Sequence, residues 1–294
     1  MTDGRRKEFN PREFFYGGKT FPRKSLGQNY ITDRRVIDRI IDTAGISAED
    51  EVLEIGPGMG ALTLALAERA GRVVAIEKDE RVIGHLRELL DGYPNAEIIP
   101  GDCLKLDYGD FYEGRKMKVV SNLPYSISTP VLIKLLRGRD MFSALILMLQ
   151  YEVGERITAK PGGKKYGSIS VLLQTYMDVR MEFRVPPSAF WPKPKVDSAV
   201  LRFLPARVPG VRVLDEELHE KVLRAAFSSR RKMLGNSLRS ILPKEAVESV
   251  LATCGIDRSR RAETLSIKEF GLLADEVSRS YKSEIIPYPA PGIE

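Results

Sequence analysis

The chain reads as a doubly wound α/β sheet followed by a small all-helical domain. Three observations carry that reading. Apolar strand-like runs alternate with helical stretches as far as Gln150, the pattern of a parallel sheet with helices on its faces. Two β-rich runs, Met177 to Arg184 and Asp197 to Phe203, then follow with no helix between them, which predicts an antiparallel pair completing the sheet. Beyond Leu204-Pro205-Ala206-Arg207-Val208-Pro209-Gly210, a stretch with linker composition, helical patterns dominate.

The elements follow in order. Glu51-Val52-Leu53-Glu54-Ile55 is an apolar run that ends in Gly56-Pro57-Gly58-Met59-Gly60, and a helix follows over Leu62 to Glu68. Glycines let the backbone approach a ligand closely, and the helix behind them presents unpaired N–H groups. Arg72 to Glu77 is the next strand, and Ala96 to Pro100 a third, leading into Gly101-Asp102. Lys118-Val119-Val120-Ser121 is a buried strand that runs out at Asn122-Leu123-Pro124-Tyr125. Ser128 or Thr129 can cap the helix that comes next, with Pro130 in its first turn and Val131 to Leu136 continuing it. Ala144 to Leu149 is a central strand, too short to span a membrane. In the C-terminal part, helices are predicted over Glu216 to Phe227, Arg231 to Ile241, Lys244 to Cys254 and Ile267 to Tyr281, the last with Ser266 and Glu269 as a capping box.

Open α/β sheets bind ligands at the carboxyl ends of their strands, so the residues found there carry the functional reading. Gly56-x-Gly58-x-x-Ala61 formally fits a dinucleotide fingerprint. Glu54 just before the glycines and Pro57 within the turn make a poor pyrophosphate cradle, and favour a cofactor with a positive sulfur and no phosphate: S-adenosylmethionine ahead of NAD. Glu77 ends its strand with a carboxylate suited to both hydroxyls of a ribose, and Asp102 can accept from an adenine amino group. Taken singly, each is also an ordinary surface acid at a strand end. Asn122 to Tyr125 offers an amide, a proline-stiffened backbone carbonyl and an aromatic ring, the equipment for gripping the edge and face of a nucleobase. Taken alone, the same four residues are an ordinary Asn-Pro turn with a packed Tyr.

Order and spacing of further blocks make the chain resemble the ribosomal RNA adenine dimethyltransferase family, on the side of its bacterial small-subunit enzymes. The blocks are Lys24-Ser25-Leu26-Gly27-Gln28-Asn29-Tyr30, Glu54 to Gly58, Asn122 to Tyr125, Pro186-Pro187-Ser188-Ala189-Phe190, Pro194-Lys195-Val196-Asp197-Ser198-Ala199-Val200, and Ala226 to Lys232 with Asn236 to Leu238. They span roughly residues 23 to 275. The resemblance implies a Rossmann-like class I methyltransferase sheet using S-adenosylmethionine, with a small C-terminal all-helical domain that docks on the ribosomal subunit. It implies that Asn29, Ile31, Gly56, Glu77, Asp102 and Asn122 bind the cofactor. Asn122, Pro124, Tyr125 and Phe190 would serve catalysis, with Tyr125 and Phe190 sandwiching the target adenine. A core aromatic is the plain alternative for Phe190, although Pro186-Pro187 before it and Trp191-Pro192 after it argue for an ordered loop. Tyr30 departs from the family, which usually has Phe there. The expected organisation is an N-terminal extension at 1–22, a catalytic domain at 23–205, a helical docking domain at 206–282 and a mobile tail at 283–294.

The implied reaction is direct methyl transfer to adenine N6, twice, on two adjacent adenines near the 3′ end of small-subunit (16S) rRNA. The N6 lone pair is delocalised into the ring. An oxygen of Asn122 and a backbone carbonyl near Pro124 can accept both N6 hydrogens and favour a more tetrahedral nitrogen. Alignment of this kind supplies roughly 7–11 kcal/mol in favourable cases. The base must be flipped out, which costs a few kcal/mol, and stacking on an aromatic returns about 1–3 kcal/mol. Two other readings stay open: a large-subunit (23S) adenine methyltransferase of the antibiotic-resistance type, and a ribosome assembly factor whose methylation is secondary.

Composition agrees. The chain has 294 residues and a formal net charge of +6, which suits an anionic partner such as the rRNA of the 30S particle or its precursor. Among its basic clusters, Arg230-Arg231-Lys232 has the best claim to touch phosphate, because it lies inside a block of the resemblance; each cluster alone also fits a solvated face. Two isolated cysteines and two histidines give no metal pattern and no disulfide framework, as expected of a reducing cytoplasm. The N-terminus is charged and polar, with no apolar signal segment. Nothing demands more than a monomer, and no membrane or metal partner is expected.

Overall fold

The computed structural model describes residues 28–206, 211 and 213–286. The block Lys24 to Gly27, the N-terminal extension, most of the linker and the tail beyond Ile286 lie outside the described residues. The chain divides into two compact units. One contains residues up to Tyr151 together with Met181–Phe203; the other contains Glu152–Arg180 and the chain from Leu204.

In the first unit, β1 (Tyr30–Ile31) precedes α1 (Arg34–Ala44), β2 (Glu51–Ile55), α2 (Ala61–Ala67), β3 (Arg72–Glu77), α3 (Glu80–Leu89), β4 (Ala96–Pro100) and β5 (Met117–Asn122). Then come α4 (Ser128–Arg137) and β6 (Phe142–Gln150). After α5 (Tyr151–Ile157) and α6 (Ser168–Tyr176) the chain continues through β7 (Met177–Val185), β8 (Phe190–Trp191) and β9 (Ser198–Pro205). The main sheet has seven strands in the order β4-β3-β2-β5-β6-β9-β7. The strands from β4 to β6 are parallel, and β9 runs antiparallel to β6 with Gln150 opposite Ser198. This is the predicted sheet, antiparallel addition included. Its central strands are continuous apolar runs because both faces are covered: Val52, Leu53, Val119, Val120, Leu145 and Leu147 are all buried.

Strand order reverses between β2 and β5, so the crevice of this sheet lies there. The pairing of these two strands runs through Val52↔Lys118 and Leu53↔Val119. Beyond that point the N–H of Ile55 donates to Oγ of Ser121 at 2.7 Å. A side chain thus satisfies the backbone where the two strands diverge, and their ends are left apart. A separate two-stranded pairing joins β1 to β8, with Ile31 opposite Phe190.

The second unit contains α7 (Glu216–Phe227), α8 (Leu234–Leu238), α9 (Lys244–Thr253) and α10 (Ile267–Ser280). Its core is built on Val222, Leu223, Leu234, Leu238, Phe270, Leu273 and Val277. Phe227 packs edge-on to Tyr166 and lies 5.5 Å, centroid to centroid, from Phe270. His219 is fully buried, with Nδ1 3.2 Å from the Tyr176 hydroxyl; burial pushes its pKa down to about 4, so it stays neutral.

Three expectations change. The helix predicted over Arg231 to Ile241 is cut to Leu234–Leu238. The N–H groups of Leu234 and Gly235 go to the carbonyls of Arg260 and Arg258 instead of to a preceding helical turn, and Arg230 to Lys232 form a turn. Neither Ser128 nor Thr129 caps α4: Ser128 is its first residue, preceded by a 3₁₀ turn at Tyr125–Ile127, and the Ser128 hydroxyl donates back to the Tyr125 carbonyl at 3.2 Å. The span 23–205 is also interrupted, because Glu152–Arg180 groups with the helical unit. The reason is α6, whose Val171, Leu172, Leu173 and Tyr176 are buried and which packs against α7 and α10.

The predicted capping box is present. Ser266 Oγ accepts from the Glu269 N–H at 3.2 Å, and the Ser266 N–H donates to Glu269 Oε2 at 2.7 Å. Replacing Ser266 by Ala is expected to remove about 1 kcal/mol of stability from the helical unit. Urea unfolding followed by circular dichroism measures it, and an unchanged midpoint would contradict this role for the cap.

Candidate active site

One cavity opens at the carboxyl ends of β2, β3, β4 and β5, roofed by residues 28–31. Its floor is the glycine loop. Gly56, Gly58 and Gly60 have φ of 72°, 57° and 82°, the left-handed region that side chains rarely adopt. At Gly58 a Cβ would also stand 2.8 Å from the Tyr30 ring. Tyr30 is buried there against Met59, Val82 and Leu86, and burial beside the acidic groups Asp79 and Glu77 pushes its pKa up.

Glu77, at the end of β3, braces this loop. Its Oε2 accepts the Gly58 N–H at 2.9 Å and its Oε1 the Asp79 N–H at 2.7 Å. The carboxylate still has lone pairs for a ligand, since its two oxygens offer about four acceptor sites. Burial pushes its pKa up against the backbone N–H bonds from Asp79, Gly58 and Lys78. Asp102 lines the far side. Oδ1 accepts the Leu104 N–H at 3.0 Å and Oδ2 the Lys78 ammonium at 2.9 Å, and the Lys78 bond holds its carboxyl below the usual range.

Glu54 is the most informative group in the cavity. It is 1% exposed, and its Oε2 has no hydrogen-bond partner among the described residues. Burial pushes its pKa up to about 8, with the charge of Glu77 adding to the shift. A buried carboxylate with an unpartnered oxygen beside an open cavity calls for a cationic ligand. The carboxylates Glu54, Glu77 and Asp102 line the cavity, while Lys78 is its one lysine or arginine and is already paired with Asp102. Such walls repel a pyrophosphate. They fit S-adenosylmethionine, with its positive sulfur, amino group, ribose and adenine, and they do not fit NAD.

Asn122 ends β5, and its Nδ2 donates to the Asn29 carbonyl at 2.9 Å. A backbone carbonyl only accepts, so the NH₂ group must face Asn29, and Oδ1 is the atom left for another ligand. Asn29, Ile31, Gly56, Glu77, Asp102, Asn122, Pro124 and Tyr125 all line the same cavity. The Pro124 carbonyl accepts the Ile127 N–H at 3.1 Å, so one of its two lone pairs is used inside the 3₁₀ turn. The Tyr125 hydroxyl is 2.6 Å from Ser198 Oγ.

Phe190 is placed apart from the other candidate residues. It is 2% exposed, is not part of the cavity wall, and lies on β8 opposite Ile31. Its short strand holds the roof residues in place, with the Ala189 carbonyl accepting the Thr32 N–H at 2.8 Å. Phe190 stands opposite Ile31 in that strand pairing, whereas Tyr125 lines the cavity. Arg230, Arg231 and Lys232 are exposed residues of the helical unit, whereas the cavity is built wholly from the sheet unit.

Sequence reading missed Lys134. This lysine of α4 donates to the Cys103 carbonyl at 2.9 Å and to the Leu106 carbonyl, and lies 4.5 Å from the Tyr108 ring centroid. It thereby fastens the loop that follows Asp102 to the helix that follows Tyr125. The available signal was a lysine within the otherwise apolar run Val131 to Leu136. Among the described residues no group of three or more His, Cys, Asp or Glu is arranged to hold a metal, and no helix is long and apolar enough to cross a membrane.

A cation next to Glu54 favours its ionised form, so binding S-adenosylmethionine releases a proton below pH 8. Affinity is expected to rise with pH between 6 and 7.5, by at most about tenfold per unit. Glu54→Gln should bind more weakly at pH 7.5 and lose most of that slope. For the free fold the sign is opposite: the raised pKa means stability from this group is fullest below about pH 4.5 and declines as pH rises to 8. Titration calorimetry across pH measures the binding slope, and an identical slope in Glu54→Gln would contradict the assignment.

Comparison with known proteins identifies the lineage. Residues 20–279 match the family model for ribosomal RNA adenine dimethylase. The chain is 50% identical over 257 residues to ribosomal RNA small subunit methyltransferase A of Geobacter sulfurreducens, covering 85% of this chain and 93% of that protein. It is 44% identical over 275 residues to the protein of the same name in Clostridium acetobutylicum, covering 93% and 100%. A dimethyladenosine transferase from Plasmodium falciparum superposes with a TM-score of 0.72 at 28% identity, over 84% of this chain and 97% of that one. The 23S rRNA methyltransferase ErmE superposes with a TM-score of 0.65 at 26% identity, over 85% and 100%. With its carboxylate-lined cavity and Asn122-Leu123-Pro124-Tyr125 at the crevice of the sheet, this chain belongs to the ribosomal RNA adenine dimethylase family.

Proposed function

We infer that the chain is an S-adenosylmethionine-dependent enzyme that dimethylates N6 of two adjacent adenines near the 3′ end of small-subunit (16S) rRNA. The observation that carries this reading is the fixed orientation of Asn122, whose NH₂ is held by Asn29 so that its carbonyl oxygen is left for a base amino group. The small-subunit substrate is favoured by relatives at 44–50% identity, against 26% for the large-subunit methyltransferase.

S-adenosylmethionine supplies an electrophilic methyl group on a positive sulfur. Glu54 would face the cationic end of the cofactor, Gly56 and Gly58 let the backbone approach it, Glu77 takes the ribose hydroxyls and Asp102 the adenine amino group, with Asn29 and Ile31 closing the roof. Asn122 Oδ1 accepts one N6 hydrogen of the target adenine and a backbone carbonyl of the Leu123-Pro124 turn accepts the other, which turns the lone pair out of conjugation. Tyr125 gives the flipped base a stacking face. No general base is needed before attack, because N6 becomes acidic only after methylation. One hydrogen remains after the first transfer, so the same acceptors serve the second.

Docking is assigned to the helical unit. Arg230 Nη1 donates to the Lys164 carbonyl at 2.7 Å, and the carbonyls of Arg258 and Arg260 hold the N–H groups that follow Lys232. Three basic segments, Lys160 to Lys165, Arg230 to Lys232 and Arg258 to Arg261, are thereby brought together to meet rRNA phosphates. The enzyme acts as a monomer in the cytoplasm, on the 30S particle or its precursor, and serves small-subunit biogenesis.

The test offers radiolabelled S-adenosylmethionine with undermethylated small subunits and, separately, protein-free large-subunit rRNA, followed by nucleoside analysis. Dimethyladenosine is expected from small subunits alone; label only in large-subunit RNA would overturn the substrate assignment. Asn122→Ala is expected to lower turnover by about 10²–10³-fold with the fold intact. Full turnover in that variant would sink the mechanism.

A further inference from the structure

The block Pro194 to Val200 takes no part in the chemistry above, yet one of its residues reaches the active site. Ser198 is fully buried (0% exposed) at the start of β9, and its Oγ lies 2.6 Å from Oη of Tyr125. The turn that delivers Ser198 is fixed from the other side. The Asp197 carbonyl accepts the Tyr151 N–H at 2.9 Å, Asp197 Oδ2 accepts Arg184 Nε at 2.6 Å, and the Arg184 guanidinium lies 4.5 Å from the centroid of the Tyr151 ring.

We propose that Ser198 is a positioning residue for methyl transfer: its hydroxyl, hydrogen-bonded to Tyr125, fixes the tyrosine ring as the platform on which the target adenine stacks. This rests on the reading of Tyr125 as that platform. Stacking needs only the ring, so a phenylalanine would serve it as well. A hydroxyl that must be desolvated and matched to a buried partner adds nothing to stacking itself. What it adds is direction. Tyr125 opens a 3₁₀ turn at a strand end, half-exposed on the cavity wall, and its backbone alone leaves the ring free to tilt. A tether at the tip to a residue inside the sheet removes that freedom. Because N6 must meet the methyl carbon in line, a small tilt of the base lowers the rate more than it weakens binding.

The experiment compares Ser198→Ala, Tyr125→Phe, the double variant and Ser198→Thr on undermethylated small subunits. Each of the first two is expected to lower kcat about tenfold, while KM for the subunit and Kd for S-adenosylmethionine stay within about twofold. The double variant should be no slower than the slower single, since one bond is lost in each case. Ser198→Thr, which keeps the hydroxyl, should recover most of the rate. 2-Aminopurine at the target position of an rRNA fragment should be quenched by stacking in the parent and brighter in both single variants. Parental kcat in Ser198→Ala or Tyr125→Phe, or losses that multiply in the double variant, would overturn the proposal. If Ser198→Ala fails to fold, Tyr125→Phe, which removes one oxygen, carries the test. A parent chain that methylates no adenine defeats the functional reading and this proposal with it; a methylating parent with unaffected variants defeats this proposal alone.

Discussion

The site depends on the divergence of two parallel strands. β2 and β5 are neighbours at the point where strand order reverses, and the hydroxyl of Ser121 takes the Ile55 N–H where they part. That bond lets the sheet end without an orphaned backbone group, which in a buried strand would cost about 1–3 kcal/mol. The glycine loop leaves from β2 on one side and Asn122 to Tyr125 leaves β5 on the other. Helices α2 and α4 carry both segments away from the crevice, so the glycine loop and the Asn122 to Tyr125 segment line one cavity.

Charge decides what enters. A cavity lined by Glu54, Glu77 and Asp102, with its single cation already paired, is built for a positive ligand rich in hydroxyl and amino groups. The three carboxylates are not equivalent. Asp102 is stabilised in its charged form by Lys78 and Glu77 by backbone N–H groups that also hold the glycine loop, whereas Oε2 of Glu54 has no hydrogen-bond partner among the described residues. The buried carboxylate with an unpartnered oxygen is the one for which a cationic sulfur or ammonium makes the largest difference. Glu77, a wall of the cavity, also fixes the glycine loop beneath it through the Gly58 N–H.

Rigidity around the Asn122 to Tyr125 loop comes from groups far apart in sequence. Lys134 ties α4 to the carbonyls beyond Asp102, Asn29 holds the Asn122 amide, and Ser198 meets Tyr125. Each uses one polar atom to set the direction of another, the arrangement required where chemistry rests on alignment and not on a strong base. Phe190 contributes differently. It is buried on β8 and supports Ile31 through strand pairing.

The sheet, its antiparallel completion, the Ser266–Glu269 cap and most of the cavity wall are legible in the sequence, because they depend on local patterns: apolar runs, glycines at strand ends, a cap at helical spacing. That Asn122, Glu77 and Asp102 line the cavity follows from a rule that needs only strand order along the chain, that open sheets bind ligands where strands end. Tertiary structure alone decided the rest. The burial of Phe190 goes with a two-residue strand pairing to Tyr30–Ile31, which has no local signature. The length of α8 was set by carbonyls of Arg258 and Arg260 that compete for its first N–H groups, and the grouping of Glu152–Arg180 by the apolar face of α6. Local periodicity fixes which residues form an element. Which polar atom meets which across the fold is fixed only when distant segments are packed and every buried donor must find an acceptor.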